Sequence, residues 1–228
     1  MNSTERIGIV LARTGSTRLK DKNMLKIGGK TLTEIAVEAG IGAGLNMILS
    51  SNSEKILEHI TQNDVTKYLR SQKNSDALAT SESAVLETID QLQIADSCEI
   101  ILLQPTSPMR SSATVKRFLS EWDSIRVSGC FDSAFSATLE TSESWVRVDS
   151  NYVRLSSLIY PNEQFTRSQD RPPTYKENGA IYLTRASNIR NGERFICGNK
   201  YIFLCNKIES IDIDTTEDFE FAVALNEF

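Results

Sequence analysis

Residues 7–12, Ile-Gly-Ile-Val-Leu-Ala, form an unbroken apolar run closed by Arg6 and Arg13. A strand covered on both faces reads this way, because a strand with one wet face alternates. The run at residues 99–104, with Ile100, Ile101, Leu102 and Leu103, has the same texture, and residues 46–51 and 65–69 read as shorter strands. Between them the period changes. Residues 31–43 place Leu32, Ile35, Ala36 and Ala39 at helical spacing, and residues 81–92 do so with Ala84, Val85, Thr88, Ile89 and Leu92. Ser53 stands where it can cap a helix over 54–61, with Ile56, Leu57 and Ile60 on one face. A further helix is expected over 115–122 and a strand over 130–137.

Strand and helix thus alternate, which predicts an α/β fold with a mostly parallel sheet flanked by helices. After Ala137 the texture changes. Short alternating runs at 145–148 and 152–155 predict exposed β-structure, and a polar stretch follows at 160–178. We expect one domain over 1–228 with an inserted arm at about 138–178. Apolar strand patterns return at 180–183 and 201–204, and a last helix is expected over 216–227, its buried side made by Phe219, Ala222, Val223 and Leu225.

Charge narrows the function classes. The net charge of −5 argues against a general nucleic-acid binder, which carries a basic face. Yet between Arg13 and Lys30 the cations Arg13, Arg18, Lys20, Lys22, Lys26 and Lys30 face Asp21 alone. Such a cluster is either a solvated turn or the seat of a small anion. Cys98, Cys130, Cys197 and Cys205 show no C-x-x-C spacing and His59 is the sole histidine, so a zinc site is not expected. Cys98 and Cys205 read as reduced core residues. With no signal peptide and no long apolar run, a cytoplasmic protein without membrane contact is expected.

In an open α/β sheet, ligands bind beyond the carboxyl ends of the strands. Four polar segments follow expected strands: 13–23, 51–53, 104–110 and 212–214. The first lacks the Walker A pattern. It nevertheless offers Gly15 for a tight turn of inward amides, hydroxyls at Ser16 and Thr17, a guanidinium at Arg13 and a point charge at Lys22. Ile211-Asp212-Ile213-Asp214 puts two carboxylates on one side of an extended chain, either as a Mg²⁺ site or as a strand end whose Asp214 caps the last helix. Gln104-Pro105-Thr106-Ser107-Pro108-Met109-Arg110 is either a polyol-binding segment or a rigid turn. Arg167, Gln169, Asp170, Tyr175, Asn178 and Gly179 form a polar group that can hold a carboxylate through Arg167 or simply face solvent.

Taken together, Ala12-Arg13-Thr14-Gly15-Ser16-Thr17-Arg18-Leu19-Lys20-Asp21-Lys22-Asn23, the run Leu103 to Arg110, the set Arg167, Gln169, Asp170, Pro173, Tyr175, Asn178, Gly179, Ala180, Ile181 and Tyr182, and Ile211 to Thr215 with Asp218 resemble the acylneuraminate cytidylyltransferase family. The likeness spans almost the whole chain and extends to the members that activate legionaminic and pseudaminic acids. It implies a three-layer, Rossmann-like nucleotidyltransferase fold. It implies coupling of CTP to an acidic nine-carbon sugar with Mg²⁺, in a homodimer whose arm reaches the partner's sugar site. By position, Arg13, Gly15, Ser16, Arg18, Lys22 and Asn23 would bind the triphosphate, and Arg70, Thr80 and Ser81 the base and ribose. Gln104, Thr106, Ser107, Arg167, Gln169 and Tyr182 would meet the sugar. Asp212 and Asp214 would hold the metal, and Arg13, Lys22 and Asp214 would be catalytic. The chain departs from the family at Thr14 and Thr17, which replace a glycine and a lysine. It also lacks the aspartate expected after Arg70, with Asp76 as a displaced candidate, and a histidine–proline pair near 142–145. The related 3-deoxy-manno-octulosonate cytidylyltransferases share the texture of Ser16 to Leu19, and nucleotide-sugar glycosyltransferases share a D-x-D site.

Overall fold

The computed structural model describes residues 5–16, 18–71, 74, 79–161, 167 and 170–226. Its centre is a seven-stranded sheet of β1 (Arg6–Ala12), β4 (Asn46–Ser51), β5 (Val65–Leu69), β6 (Glu99–Leu103), β7 (Ser133–Glu140), β10 (Thr174–Arg185) and β11 (Lys200–Leu204). The spatial order is β11-β7-β10-β6-β1-β4-β5. β10 alone runs against its neighbours β6 and β7, while the other pairings are parallel. The expected α/β class with a mostly parallel sheet is what forms.

Helices cover both faces. Val10 and Ala12 of β1 pack into one cluster with α1 (Leu32–Gly42), α2 (Glu54–His59) and α4 (Ser112–Arg126). Ile7 and Ile9 look the other way, onto α3 (Ser81–Gln91) and α6 (Ala186–Arg190). Successive side chains point to opposite faces, so only an all-apolar strand can serve both layers. A third, smaller cluster joins Ile27, Leu32, Ile213 and Ala222, with Leu19, Leu25, Met109 and Phe219 against it. It seats α7 (Thr216–Asn226) on the hairpin of β2 (Lys26–Ile27) and β3 (Lys30–Thr31).

Most elements fall where the hydrophobic period put them, and the differences have local causes. α1 starts at a capping box: Thr31 Oγ1 accepts from Glu34 N, and Glu34 Oε2 accepts from Thr31 N. α4 is longer than 115–122 because Ser111 caps it, accepting from Thr114 N at 3.2 Å. Ser53 precedes α2 but makes no side-chain cap bond, and the helix ends at His59. β7 begins at Ser133 rather than 130, since Asp132 turns away to accept from Asn199 N. Between β7 and β10 the hairpin of β8 (Trp145–Val148) and β9 (Asn151–Arg154) leads into α5 (Leu155–Ile159). Leu155 is thus helical, not part of the strand expected over 152–155.

One buried charge ties the sheet's start to α4. Glu99 accepts from Arg6 Nε at 2.7 Å, Trp122 Nε1 at 2.9 Å and Arg126 Nη1 at 3.4 Å. Removing a nearly buried carboxylate strands those donors. Glu99→Ala is expected to cost about 3 kcal/mol, read as a lower urea midpoint with an unchanged slope.

Candidate functional site

The carboxyl ends of β1, β4, β5 and β6 share one edge of the sheet, because all four are parallel. β1 sits where the chain order reverses, with β4 on one side and β6 on the other. The polar segments that follow β1, β5 and β6 meet in a cleft of about 370 Å³, while the expected segment 51–53 after β4 does not line it. Arg13, Ser16, Arg18, Lys22, Asn23, Arg70, Thr80, Ser81, Gln104, Thr106 and Asp214 all line it. The solvated-turn alternative for the cationic loop therefore gives way to a built concavity.

The loop is held from beneath. Asn23 is buried, donating from Nδ2 to the Arg13 carbonyl at 2.9 Å, while its own carbonyl accepts from Thr33 Oγ1 at 2.8 Å. Gly15 has φ +80°, the left-handed conformation the turn requires, although it does not line the cleft. Thr14, which replaces a glycine, donates from N to Asn52 Oδ1 at 3.0 Å, and Asn52 Nδ2 donates to Thr14 Oγ1 at 3.1 Å. This departure thus ties the first loop to the segment after β4. Thr17 lies outside the described residues.

Lys22 Nζ donates to Asp214 Oδ1 at 3.0 Å and to the Ile213 carbonyl at 2.9 Å, and Arg18 Nη1 reaches Asp214 Oδ2 at 3.1 Å. Asp214 does not cap the last helix. Thr215 and Asp218 do so reciprocally: Asp218 Oδ2 accepts from Thr215 N at 2.8 Å, and Thr215 Oγ1 accepts from Asp218 N at 3.2 Å. Residues 211–214 form no strand, and Ile213 N anchors them to the Thr106 carbonyl at 2.8 Å. Asp212 sits beside Thr106 rather than in the cleft lining. Surrounding protein raises its carboxyl above the usual range, the Asp214 charge adds to this, and a Thr106 hydrogen bond opposes it. Two carboxylates that repel each other suit a hard divalent cation. Among the described residues no group of three metal-ligating side chains forms, so such a cation would complete its shell with phosphate oxygens and water.

The opposite wall holds Arg70, buried, with Nε and Nη2 lacking hydrogen-bond partners among the described residues. Burial lowers its pKa, opposed by Glu87. Glu87 organises this wall. It accepts from Ser71 N and Oγ, each at 2.7 Å, from Asn74 Nδ2 at 2.6 Å and from Tyr68 Oη at 3.0 Å. Burial works to raise its pKa, but these bonds bring it down to about 2. Asp76, the displaced candidate, lies outside the described residues. Thr80 caps α3, and Ser81 opens it, so the helix N-terminus faces the cleft.

A second lobe of about 270 Å³ shares Ser81 and Gln104 with the first. Tyr182 lines it with Glu82, Leu102, Glu177, Arg194, Phe195 and Ile196. Glu177 and Tyr182 lie an odd number of residues apart and would normally face opposite sides. The register of β10 shifts between them, and Gly179 takes φ +75° there, so the Tyr182 hydroxyl donates to Glu177. Burial and then Glu177 raise the Tyr182 pKa.

Two expected substrate residues, Ser107 and Arg167, fall elsewhere. Ser107 is fully buried with no partner for Oγ among the described residues, because the turn between the two prolines points it inward. Arg167 lines neither lobe and pairs with Asp170 at 3.0 Å. Gln169 lies outside the described residues. Asn74 and Arg194 were not anticipated. Asn74 is brought in by Glu87, and Arg194 by the loop after α6, neither of which leaves a pattern in the sequence.

A cytidylyltransferase family model matches residues 7–227. An N-acylneuraminate cytidylyltransferase of Streptococcus agalactiae serotype V is 29% identical over 218 residues, covering 93% of this chain and 51% of the relative. A CMP-N,N'-diacetyllegionaminic acid synthase of Legionella pneumophila is 29% identical over 235 residues, covering 97% and 96%. The chain therefore spans about half the length of the streptococcal relative and nearly all of the Legionella one. The solved structure of a CMP:2-keto-3-deoxy-manno-octonic acid synthetase complexed with CTP matches with a TM-score of 0.66 at 17% identity, over 97% of this chain and 98% of the other. At that identity the likeness is one of fold.

The Glu87 cluster gives a pH test. Its folded pKa of about 2 lies below the ordinary 4.5, so its stabilisation is complete above the unfolded value. It is lost as pH falls through the folded one. The stability gap between the native chain and Glu87→Gln is expected to stay constant above roughly pH 5 and to close on further acidification. Urea midpoints measured across that range check it.

Proposed function

This chain belongs to the cytidylyltransferase family, and from that premise we propose that it joins CTP to a nonulosonic, sialic-type acid. The observation that carries this reading is the two-lobed cleft: a cationic lobe beside a half-apolar one, meeting at Ser81 and Gln104. The names of the relatives support the choice of acceptor.

In this reading Arg13, Arg18 and Lys22 surround the triphosphate, and Ser16 and the turned amides at Gly15 donate to it. Asn23 keeps the loop in shape through the Arg13 carbonyl. The orphaned Arg70 donors, with Asn74, Thr80 and Ser81, meet the base and ribose. Gln104, Thr106 and Tyr182 orient the sugar. Its anomeric oxygen bonds to the α-phosphorus and the hydroxyl releases its proton to water. The bond from that phosphorus to the bridging oxygen breaks, and pyrophosphate leaves. Asp212 and Asp214 would hold Mg²⁺, which when bound neutralises phosphate charge. Lys22 fixes the orientation of Asp214 and adds charge beside the leaving group. Transfer of this kind needs mainly positioning and charge neutralisation.

We also propose that residues at about 138–178 form the arm of a homodimer. Trp145, Val146, Val148, Tyr152, Leu158 and Ile159 are exposed there, an apolar surface that suits a second copy. Arg167 would then act on the partner's sugar.

The test is pyrophosphate release from CTP and Mg²⁺ with a panel of nonulosonic acids and 3-deoxy-manno-octulosonate. Release that requires a nonulosonic acid is expected. Release with the octulosonate alone would move the acceptor to the related class, and no release with any sugar, although CTP binds, would end the reading. Asp214→Asn is expected to lower kcat by about 100-fold or more while CTP still binds. Light scattering is expected to give a dimer mass, reduced to a monomer mass by Tyr152→Lys.

A further inference from the structure

The second lobe has an unequal charge distribution. Two carboxylates, Glu82 and Glu177, line it, and its one cation is Arg194. Glu177 is already engaged by the Tyr182 hydroxyl. An anionic sugar entering this space is repelled by either glutamate and attracted only where Arg194 stands.

Arg194 is also available. It is exposed and makes no ion pair or hydrogen bond among the described residues. Two arginines of the arm make ion pairs within the chain, Arg167 with Asp170 at 3.0 Å and Arg171 with Glu143 at 2.9 Å, and neither lines this lobe. The backbone that carries Arg194 is fixed nonetheless. Its neighbour Phe195 is buried, lies 5.9 Å from the Tyr182 ring centroid, and donates its N–H to Glu82 Oε1 at 3.4 Å. An exposed guanidinium on an anchored loop, within a lobe of sugar size, suits a carboxylate by its chemistry, since its fork matches the two oxygens.

Resting on the reading that this lobe receives the acceptor, we propose that Arg194 binds the sugar carboxylate and selects an acid over its neutral analogue. Glu82 and Glu177 then face hydroxyl and amide hydrogens of the same sugar, as acceptors.

The experiment uses the acid that the native enzyme turns over best and its carboxamide as a competitive inhibitor. Arg194→Met is expected to raise the KM for the acid about 10-fold or more. The KM for CTP and the inhibition constant of the carboxamide should stay unchanged, so discrimination collapses. Arg194→Lys should restore part of the loss, and Lys116→Met, an exposed cation of α4 that lines neither lobe, should leave the KM for the acid unchanged. A damaged fold would raise the CTP KM as well, a change that this role does not cause. An unaltered acid KM in Arg194→Met, an equal loss for acid and carboxamide, or a matching loss in Lys116→Met would overturn the assignment. Native enzyme that uses no nonulosonic acid would instead defeat the acceptor reading beneath it.

Discussion

The ion pair between Lys22 and Asp214 joins two loops that lie 192 residues apart in the chain. Neither loop belongs to the sheet, and neither has regular structure long enough to stand alone. Lys22 makes the junction rigid by donating also to the Ile213 carbonyl. Its side chain is mostly covered, whereas that of Asp214 is still open to the cleft. One member of the pair is therefore a fixed post and the other an available ligand. Without the post, Asp214 would be a mobile surface carboxylate, and the cationic loop would have nothing to fix its depth.

That junction rests on the smallest of the three apolar clusters. Ile213 stands between Asp212 and Asp214, so burying it beside Leu32 and Ala222 anchors the chain that carries both carboxylates. Leu19 and Leu25, three residues to either side of Lys22, pack against the same cluster. Arg18 and Asp214 each adjoin an apolar residue packed in this cluster, Leu19 and Ile213, and Lys22 lies between Leu19 and Leu25. The large clusters fix where the strands end, and the small one fixes which way the residues just beyond them face. Met109 packs on the same cluster and brings the turn after β6 into register with both.

This division explains what could be read from the sequence. β1 and β6 announce themselves because burial on two faces leaves no polar position, and the residues just beyond them are then site candidates by topology alone. Arg13, Lys22 and Gln104 were legible for that reason, and Asp214 through its pairing with Asp212 in a D-x-D pattern. β10 was legible only over its last residues. Its first half, from Thr174 to Glu177, is exposed and polar and reads as loop, yet it pairs with β7. The glutamates behave likewise. Glu87 looks like an ordinary surface position of a helix, and its role as acceptor for Ser71, Asn74 and Tyr68 depends on chain folding back from β5. Arg194 follows a five-residue helix with no cap bond, and its place is decided by Phe195 finding Tyr182. Such residues are assigned by tertiary contact, and no period or spacing encodes them.

The two lobes also differ in sign, which constrains how a reaction can run between them. The first carries Arg13, Arg18, Lys22 and Arg70 against Asp214. The second carries Glu82 and Glu177 against Arg194. A triphosphate placed in the second lobe would meet two carboxylates and one cation, so polyphosphate is directed to the first by charge alone. Once it is there, a singly charged acid gains little from the first lobe, whose cations are occupied, and is left to the second. Gln104 and Ser81 stand at the boundary, uncharged, where an attacking oxygen and a phosphorus would have to meet. A neutral boundary between oppositely biased lobes favours one orientation of each substrate without holding either too tightly at the point of transfer, which is the condition under which binding energy appears in the transition state rather than the ground state.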